Sequence, residues 1–130
     1  VGFNKFICMS IKKRVQEKFS VTVLKNGIIK LVEQAKPTEN SAIAMREQIL
    51  KKYKNKNTKF LVDLRFAGIP PSRARKNISN IFLENKPDKV AVLFDHVSLR
   101  VMAKFIMSAA GIKNFKFFKT EKEALDWLKK

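Results

Sequence analysis

The stretch KFLVDLRFAGIPPSRAR, residues 59–75, predicts the fold of this chain. Its first six residues are nearly all apolar until Asp63, which is typical of a strand buried on both faces of a sheet. The loop RFAGIPP follows, and Pro70 and Pro71 suit the lead-in and first turn of a helix. A buried strand that passes into a helix is the unit from which parallel α/β sheets are built.

The same alternation continues toward the C-terminus. The segment KVAVLF, residues 89–94, is a second buried strand, and a helix is predicted for residues 98–110, ended by Gly111. Residues 114–118 form another strand, and the capping box Thr120-Glu121-Lys122-Glu123 opens the last helix.

Toward the N-terminus, Val21–Leu24 and Ile28–Val32 are β-rich and flank Lys25-Asn26-Gly27, a strong hairpin signal. Pro37 then precedes a helix predicted from Thr38 to about Tyr53. The predicted order is β-β-α-β-α-β-α-β-α. It indicates the α/β class, with a single mixed, largely parallel sheet and helices packed on it.

The length of 130 residues and the 45% hydrophobic content fit one domain. We assign residues 19–130 to this domain and residues 1–18 to an N-terminal leader of uncertain structure. The chain begins with Val, and Met9 is an alternative start. Whether residues 1–8 belong to the natural chain is therefore left open.

The net charge of +17 has two interpretations. Attraction to a polyanion is the functional one. The other is background composition, because 22 Lys stand against 6 Arg and Asn, Ile and Phe are abundant. A dedicated phosphate site would more often use Arg, whose planar fork matches phosphate.

Several function classes have little support. One cysteine, Cys8, and one histidine, His96, argue against a disulfide framework and a multi-histidine metal site. We expect no metal and no cofactor, since no P-loop or dinucleotide-binding motif is present. The sequence also lacks a nucleophile elbow, so we do not expect an enzyme. No apolar run approaches the roughly 20 residues that span a membrane, and a lone thiol fits the cytoplasm.

Three stretches resemble a known family. They are FLVDLRFAGIPPSRAR at 60–75, KVAVLFDHVSLRVMAKFIMSAAG at 89–111 and FKFFKTEKEALDWL at 115–128. They are similar to the STAS domain group, and more closely to the small stand-alone bacterial SpoIIAA-like, or STAS/SEC14-type, proteins. The resemblance runs from Val21 to Lys129. It implies a regulatory module that binds a partner protein or, from the SEC14 side, a small lipid-like ligand.

The resemblance also implies a phosphorylation site. Anti-sigma-factor antagonists of this family are switched at a Ser that opens the helix after the third strand, and Ser72 takes that place. The family has Asp-Ser followed soon by Gly, whereas here Pro71 precedes Ser72 and Arg73-Ala74 follow.

Two groups of polar residues form the predicted site. Ser72, Arg73 and Arg75 open one helix, where cations oppose the helix dipole unless an anion is bound. The alternative to anion binding is that the side chains of both arginines simply point to solvent.

The second group, His96, Ser98 and Arg100, follows the next strand. Ligands of open α/β sheets bind beyond the carboxyl ends of the strands, so both groups are predicted to share that edge. Asp63 and Asp95 are expected nearby as orienting carboxylates. The alternatives are a loop position for His96, an N-cap role for Ser98 and a strand-end salt bridge for Asp63.

We therefore predict a non-enzymatic module that recognises an anionic small molecule or partner protein at this edge. Nonspecific nucleic-acid binding through the Lys-rich surface is an alternative, although Tyr53 is the only aromatic residue within the basic run at residues 51–59. A phospho-switch at Ser72 is another. A second copy of the chain is a further candidate partner.

Overall fold

A computed structural model describes residues 19–52 and 58–130. The predicted leader at 1–18 and the middle of the lysine run at 53–57 lie outside the described residues. The order β-β-α-β-α-β-α-β-α is confirmed. The elements are β1 (Phe19–Val23), β2 (Ile29–Glu33), α1 (Glu39–Lys52), β3 (Lys59–Asp63), α2 (Ser72–Asn85), β4 (Lys89–Leu93), α3 (Val97–Ala109), β5 (Phe115–Phe118) and α4 (Glu121–Lys129).

The five strands form one sheet in the order β1-β2-β3-β4-β5. β1 runs antiparallel to β2, and every later neighbour is parallel. The predicted mixed, largely parallel sheet is therefore confirmed. Because β2 to β5 all point the same way, their carboxyl ends lie along one side of the sheet. The segments that follow these strands lie on the same side, at 34–38, 64–71, 94–96 and 119–120. We call this side the carboxyl edge.

The first hairpin turns where the sequence predicts it. Gly27 has φ of +83°, a conformation that glycine adopts without strain. The backbone N–H of Leu24 donates to the carbonyl of Ile28 at 2.8 Å, which closes the turn. This local chemistry fixes the antiparallel end of the sheet.

The two faces of the sheet are covered unequally. Helices α1, α2 and α3 contribute Met45, Phe82 and Ile106 to one core, against strand residues such as Phe60 and Val92. Successive crossovers of the same hand place these helices on the same face when the strands follow in sequence order.

On the other face, α4 packs Ala124 and Leu128 against Leu61, Ala91 and Leu93. Inward residues on both faces explain the nearly continuous apolar sequence of β3 and β4.

Helix α3 presents a different face from the one that its sequence suggests. In the sequence, the helical spacing of Met102, Phe105, Ile106 and Ala109 predicts that these residues face the core, but Phe105 is 66% exposed and Ala109 is exposed too. The buried side chains of α3 are instead Leu99, Ala103, Ile106 and Met107. Apolar residues occur all round this helix, so several rotations about its axis give an apolar inner face, and packing selects one of them.

Within residues 19–52 and 58–130, no helix is both long enough and apolar enough to cross a membrane.

Candidate binding site at the carboxyl edge

Helix α2 begins at the carboxyl edge without a capping side chain. Pro71 occupies its N-cap position, and no side-chain hydrogen bond caps the helix in the described part of the chain. Ser72 is the exposed first residue, and the first turn holds no acidic residue. The first N–H groups of a helix need partners that its own backbone does not supply. They therefore remain open to an anion or to water.

The two arginines of this turn reach in different directions. Arg73 is 84% exposed, and its Nη1 lies 3.8 Å from Oε2 of Glu39 on α1. Arg75 places Nη1 3.8 Å from the sulfur of Met102, so it bridges α2 to α3. An exposed ion pair at this distance contributes little to stability, and both guanidinium groups keep most of their donors available.

Helix α3 begins at the same edge. Its N-cap residue is His96, whose carbonyl accepts from the N–H groups of Leu99 and Arg100 at 3.1 and 3.2 Å. The imidazole makes no capping hydrogen bond to described residues. The alternative that Ser98 is the N-cap is wrong, because Ser98 is the second residue of the helix. His96 and Ser98 are both exposed.

Arg100 is held over two aromatic rings. Its Cζ lies 5.2 Å from the ring centroid of Phe117 and 5.6 Å from that of Phe94. The two rings are themselves in edge-to-face contact, with centroids 5.8 Å apart. Stacked guanidinium groups keep their N–H edge free for an anion. Among the described residues, no carboxylate pairs with Arg100.

These residues line an open recess of about 260 Å³ between the start of α3 and the end of β5. Besides Arg100 and the two phenylalanines, its lining contains Phe118, Lys119 and Glu123. Two cations and one carboxylate thus surround an aromatic floor. The recess has the size and the chemistry to hold a small anionic group.

Asp63 lies at the end of β3 and is buried. Its two carboxylate oxygens accept from Nε and Nη2 of Arg65 at 3.0 and 2.8 Å, and Oδ1 also accepts from the Arg65 backbone N–H. Burial alone would raise the pKa of Asp63, but the hydrogen bonds from Arg65 outweigh it and hold that pKa below its usual value. The strand-end salt bridge that the sequence offered as an alternative is therefore what the structure contains.

Sequence reasoning missed Arg65, the arginine that Asp63 orients. The adjacency of an Asp at a strand end and an Arg two residues later was available as a signal. The hydrogen bonds that Arg65 donates to Asp63 are the main cause that raises the pKa of Arg65, and the charge of the exposed Asp95 adds a smaller contribution. Arg65, Arg73, Arg75 and Arg100 therefore line one edge but turn to four different neighbours.

Comparisons with known proteins identify the family. A family model described as SpoIIAA-like matches residues 11–129. The chain belongs to the SpoIIAA-like family. A search of curated proteins finds no match.

A solved structure similar to this SpoIIAA-like domain is an uncharacterized protein of the DUF3478 family from Shewanella loihica PV-4, described as having a SpoIIAA-like fold. The TM-score is 0.65 at 18% identity, over 85% of this chain and 91% of that one. At this identity the likeness shows the fold, and the STAS-like domain inferred from the sequence is confirmed.

The SpoIIAA-like domain also contains a buried acid that sequence reasoning missed. Glu33, the last residue of β2, is 7% exposed, and burial raises its pKa from the usual 4.5 to about 8. It shares the inward face of β2 with Ile29 and Leu31. The alternation along β2 would have revealed it, but the predicted strand ended one residue earlier, at Val32.

In the described ranges, no group of three or more His, Cys, Asp and Glu side chains is arranged to hold a metal ion.

Proposed function

We propose that this SpoIIAA-like domain is a non-enzymatic binding module that recognises an anionic group, on a small molecule or a partner protein, at the carboxyl edge. The observation that carries the proposal is Arg100, exposed, stacked on Phe94 and Phe117, and without a carboxylate partner among the described residues. The family supports such a role, since SpoIIAA-like domains are generally non-enzymatic and typically interact with proteins.

The position of Arg100 favours an anion as its partner. A cation in the first turn of a helix opposes the helix dipole and costs a few tenths of a kcal/mol. Here Arg100 is the fourth residue of α3, and Lys119 shares its recess. A bound anion would satisfy both cations and the open N–H groups of the helix. The aromatic floor would exclude water from one side and strengthen these contacts.

The start of α2 supplies a second set of donors on the same edge. Ser72, Arg73 and Arg75 bring a hydroxyl and two guanidinium groups to a helix that lacks a capping side chain. Arg75 already contacts α3 through Met102. A ligand with two anionic groups, or an acidic segment of a partner, would engage both helix starts, including the exposed His96 and Ser98 at the start of α3.

Calorimetric titration with phenyl phosphate tests the proposal, because this probe joins an anionic group to an aromatic ring. We expect Arg100→Gln to weaken binding by about tenfold or more, the range for losing charge-assisted hydrogen bonds. Arg100→Lys should have an intermediate effect, because it keeps the charge but loses the planar fork.

Lys113→Gln is the matched control. It removes the same charge from an exposed residue in the segment that leads into β5, at the opposite side of the sheet. Its affinity should stay within about twofold of wild type. Equal losses in Arg100→Gln and Lys113→Gln would show that only the overall charge matters, and the proposed site would be wrong.

Nonspecific nucleic-acid binding stays a prediction that rests on the net charge of +17. Binding of this kind weakens with salt, with a logarithmic slope of about −0.9 for each phosphate neutralised on duplex DNA. It would also respond alike to loss of Arg100 and loss of Lys113. A recess that uses stacked and directional contacts should keep more of its affinity at high salt.

Phosphorylation of Ser72 stays a prediction as well. The residue is exposed and opens α2, where free N–H groups and two arginines would stabilise a phosphate. Mass spectrometry of protein from its native cell checks it, and an unmodified Ser72 under every growth condition would overturn it. The cytoplasm and a homodimer remain expectations, checked by cell fractionation and light scattering.

A further inference from the structure

Helix α3 carries a row of apolar side chains on its outer surface. Val97, Val101 and Phe105 are 72%, 62% and 66% exposed. Because they are spaced four residues apart, they form one line along the helix that spans about 12 Å. We call these three residues the α3 stripe. Exposed apolar residues are ordinary when they are scattered singly, whereas an aligned group with polar neighbours marks an interaction surface.

The α3 stripe lies on the side of the helix that faces away from the core. A helix that buries one face usually carries polar residues on the other. The buried face of α3 consists of Leu99, Ala103, Ile106 and Met107. The helix therefore has two apolar faces, and the described residues cover only one of them.

Cations border the α3 stripe on one flank. Arg100 and Lys104 each precede a stripe residue by one position, which turns both of them to the same side, about 100° around the helix. Both are exposed, and neither pairs with a carboxylate among the described residues. Residues 97–109 contain no Asp or Glu, and Glu123 beside Arg100 already accepts a hydrogen bond from Thr120. This surface fits a partner that is apolar along one line and acidic beside it.

We propose that the α3 stripe docks an acidic amphipathic helix of a partner protein, with apolar side chains along the stripe and carboxylates facing Arg100 and Lys104. The pairing at Arg100 rests on the proposed function, since a carboxylate of the partner would be the anionic group bound there, while the apolar contact is separate from it. A ridge of residues four apart packs into the groove of a facing helix. Helices that dock in this way carry their anchors three, four and seven residues apart.

Charge argues against occupants made of this chain. A second copy would bring the same cations to the interface, and the net charge of each chain is already +17. Residues 1–18 would add positive charge as well, because their basic residues outnumber the single acid, Glu17. An anionic membrane would match the charge, but it takes up a broad apolar face, and the outer side of α3 offers a single line of side chains.

Calorimetric titration with three synthetic helical peptides, each about 16 residues long, tests the proposal. The first has leucine at every third or fourth position on one face and glutamate on both flanks. The second has lysine in place of glutamate, and the third has the composition of the first with its leucines spread around the helix. We expect the first peptide to bind saturably in 0.15 M NaCl and the other two to bind about tenfold more weakly or less.

Three variants locate the surface. Phe105→Ser should weaken binding of the first peptide by about tenfold or more, because aromatic anchors carry much of the energy of an interface. Lys104→Gln should weaken it about two- to fivefold, the range for an exposed ion pair. Leu50→Ser is the matched control, since it removes a 58% exposed apolar side chain from α1, and its affinity should stay within about twofold of wild type. All three side chains are exposed, so the variants are expected to fold.

Three results would overturn the inference. The first is no saturable binding of the glutamate peptide, or equal binding of the three peptides. The second is an equal loss in Phe105→Ser and Leu50→Ser. The third is another occupant: a dimer in sedimentation velocity, or binding to vesicles of phosphatidylcholine and phosphatidylglycerol, that Phe105→Ser abolishes.

Phenyl phosphate separates this inference from the proposed function. Phe105→Ser should bind phenyl phosphate as wild type does, because Phe105 lies outside the recess that Arg100 lines. Intact phenyl phosphate binding without a peptide preference would defeat the docking surface alone. Peptide binding through Phe105 without phenyl phosphate binding would defeat the anion recess alone.

Discussion

Replacing Glu33 by Gln should stabilise the folded protein at neutral pH, and the gain should vary with pH in a defined way. In the folded chain the carboxyl is buried and its pKa is raised to about 8, whereas in the unfolded chain it has its usual value of 4.5. At pH 7 the side chain is therefore charged when unfolded and mostly neutral when folded. Folding must take up a proton, and that uptake costs free energy.

The magnitude follows from these two values. Each pH unit above 4.5 costs about 1.36 kcal/mol until the folded carboxyl itself ionises near pH 8. The penalty is near zero at pH 4, about 3 kcal/mol at pH 7, and about 5 kcal/mol above pH 8. A raised folded pKa means that stability is fully present below pH 4.5 and is lost as the pH rises through this window. Gln does not titrate, so its variant avoids the loss.

Urea denaturation followed by circular dichroism at pH 4, 5.5, 7 and 8.5 measures the effect. The difference in unfolding free energy between Glu33→Gln and wild type should grow by about 1.4 kcal/mol per pH unit between pH 5 and pH 8. Asp126→Asn is the matched control, because it removes an exposed carboxyl from α4. The difference in unfolding free energy between Asp126→Asn and wild type should be small and nearly independent of pH. A flat profile for Glu33→Gln would refute the reasoning.

Three further substitutions test other parts of the structure. Gly68→Ala should lower the unfolding free energy by about 1–3 kcal/mol, because its Cβ would lie 2.9 Å from the Cα of Lys36; urea denaturation measures it. Thr120→Ala should cost about 1 kcal/mol, since Thr120 caps α4 by accepting from the N–H of Glu123 at 3.3 Å; thermal denaturation with Thr120→Ser as the control measures it. Asp63→Asn should cost about 1–3 kcal/mol at pH 7, because the Arg65 side chain loses its carboxylate. The lowered pKa of Asp63 means that this stabilisation is present above its usual value of 3.8 and lost at lower pH, so the cost should shrink on acidification. A cost for Asp63→Asn that stays constant down to pH 2 would contradict that assignment.

The parts of the fold that depend on local chemistry were predictable from the sequence. Asn26-Gly27 specifies a turn because glycine tolerates positive φ, and the turn lies where expected. The capping box at Thr120 specifies a helix start through its own side chain, and α4 begins at Glu121. The apolar runs of β3 and β4 indicate strands buried on both faces, as the two cores require.

Features that depend on tertiary packing were not predictable in the same way. Phe105 was expected to pack in the core, but it is 66% exposed. Helix α3 is apolar on nearly every side, so its sequence does not specify which side meets the sheet. Packing against the rest of the core settles the choice.

The candidate site was predictable as a region but not as a set of contacts. The rule that loops after parallel strands share an edge placed Asp63, Ser72 and Arg100 on the same side. It does not say which neighbour each side chain meets. Arg100 stacks on rings from β5 and the β4 end, and Asp63 pairs with Arg65, because side-chain partners depend on the register and twist of the strands.

The most direct test of anion recognition at the carboxyl edge is an amide NMR titration of the full chain with phenyl phosphate in 0.3 M NaCl. We predict saturable shifts concentrated at residues 94–100 and 117–119, abolished in Arg100→Gln and retained in Lys113→Gln. Shifts spread over the lysine surface, with the same response in both variants, would contradict a site at this edge.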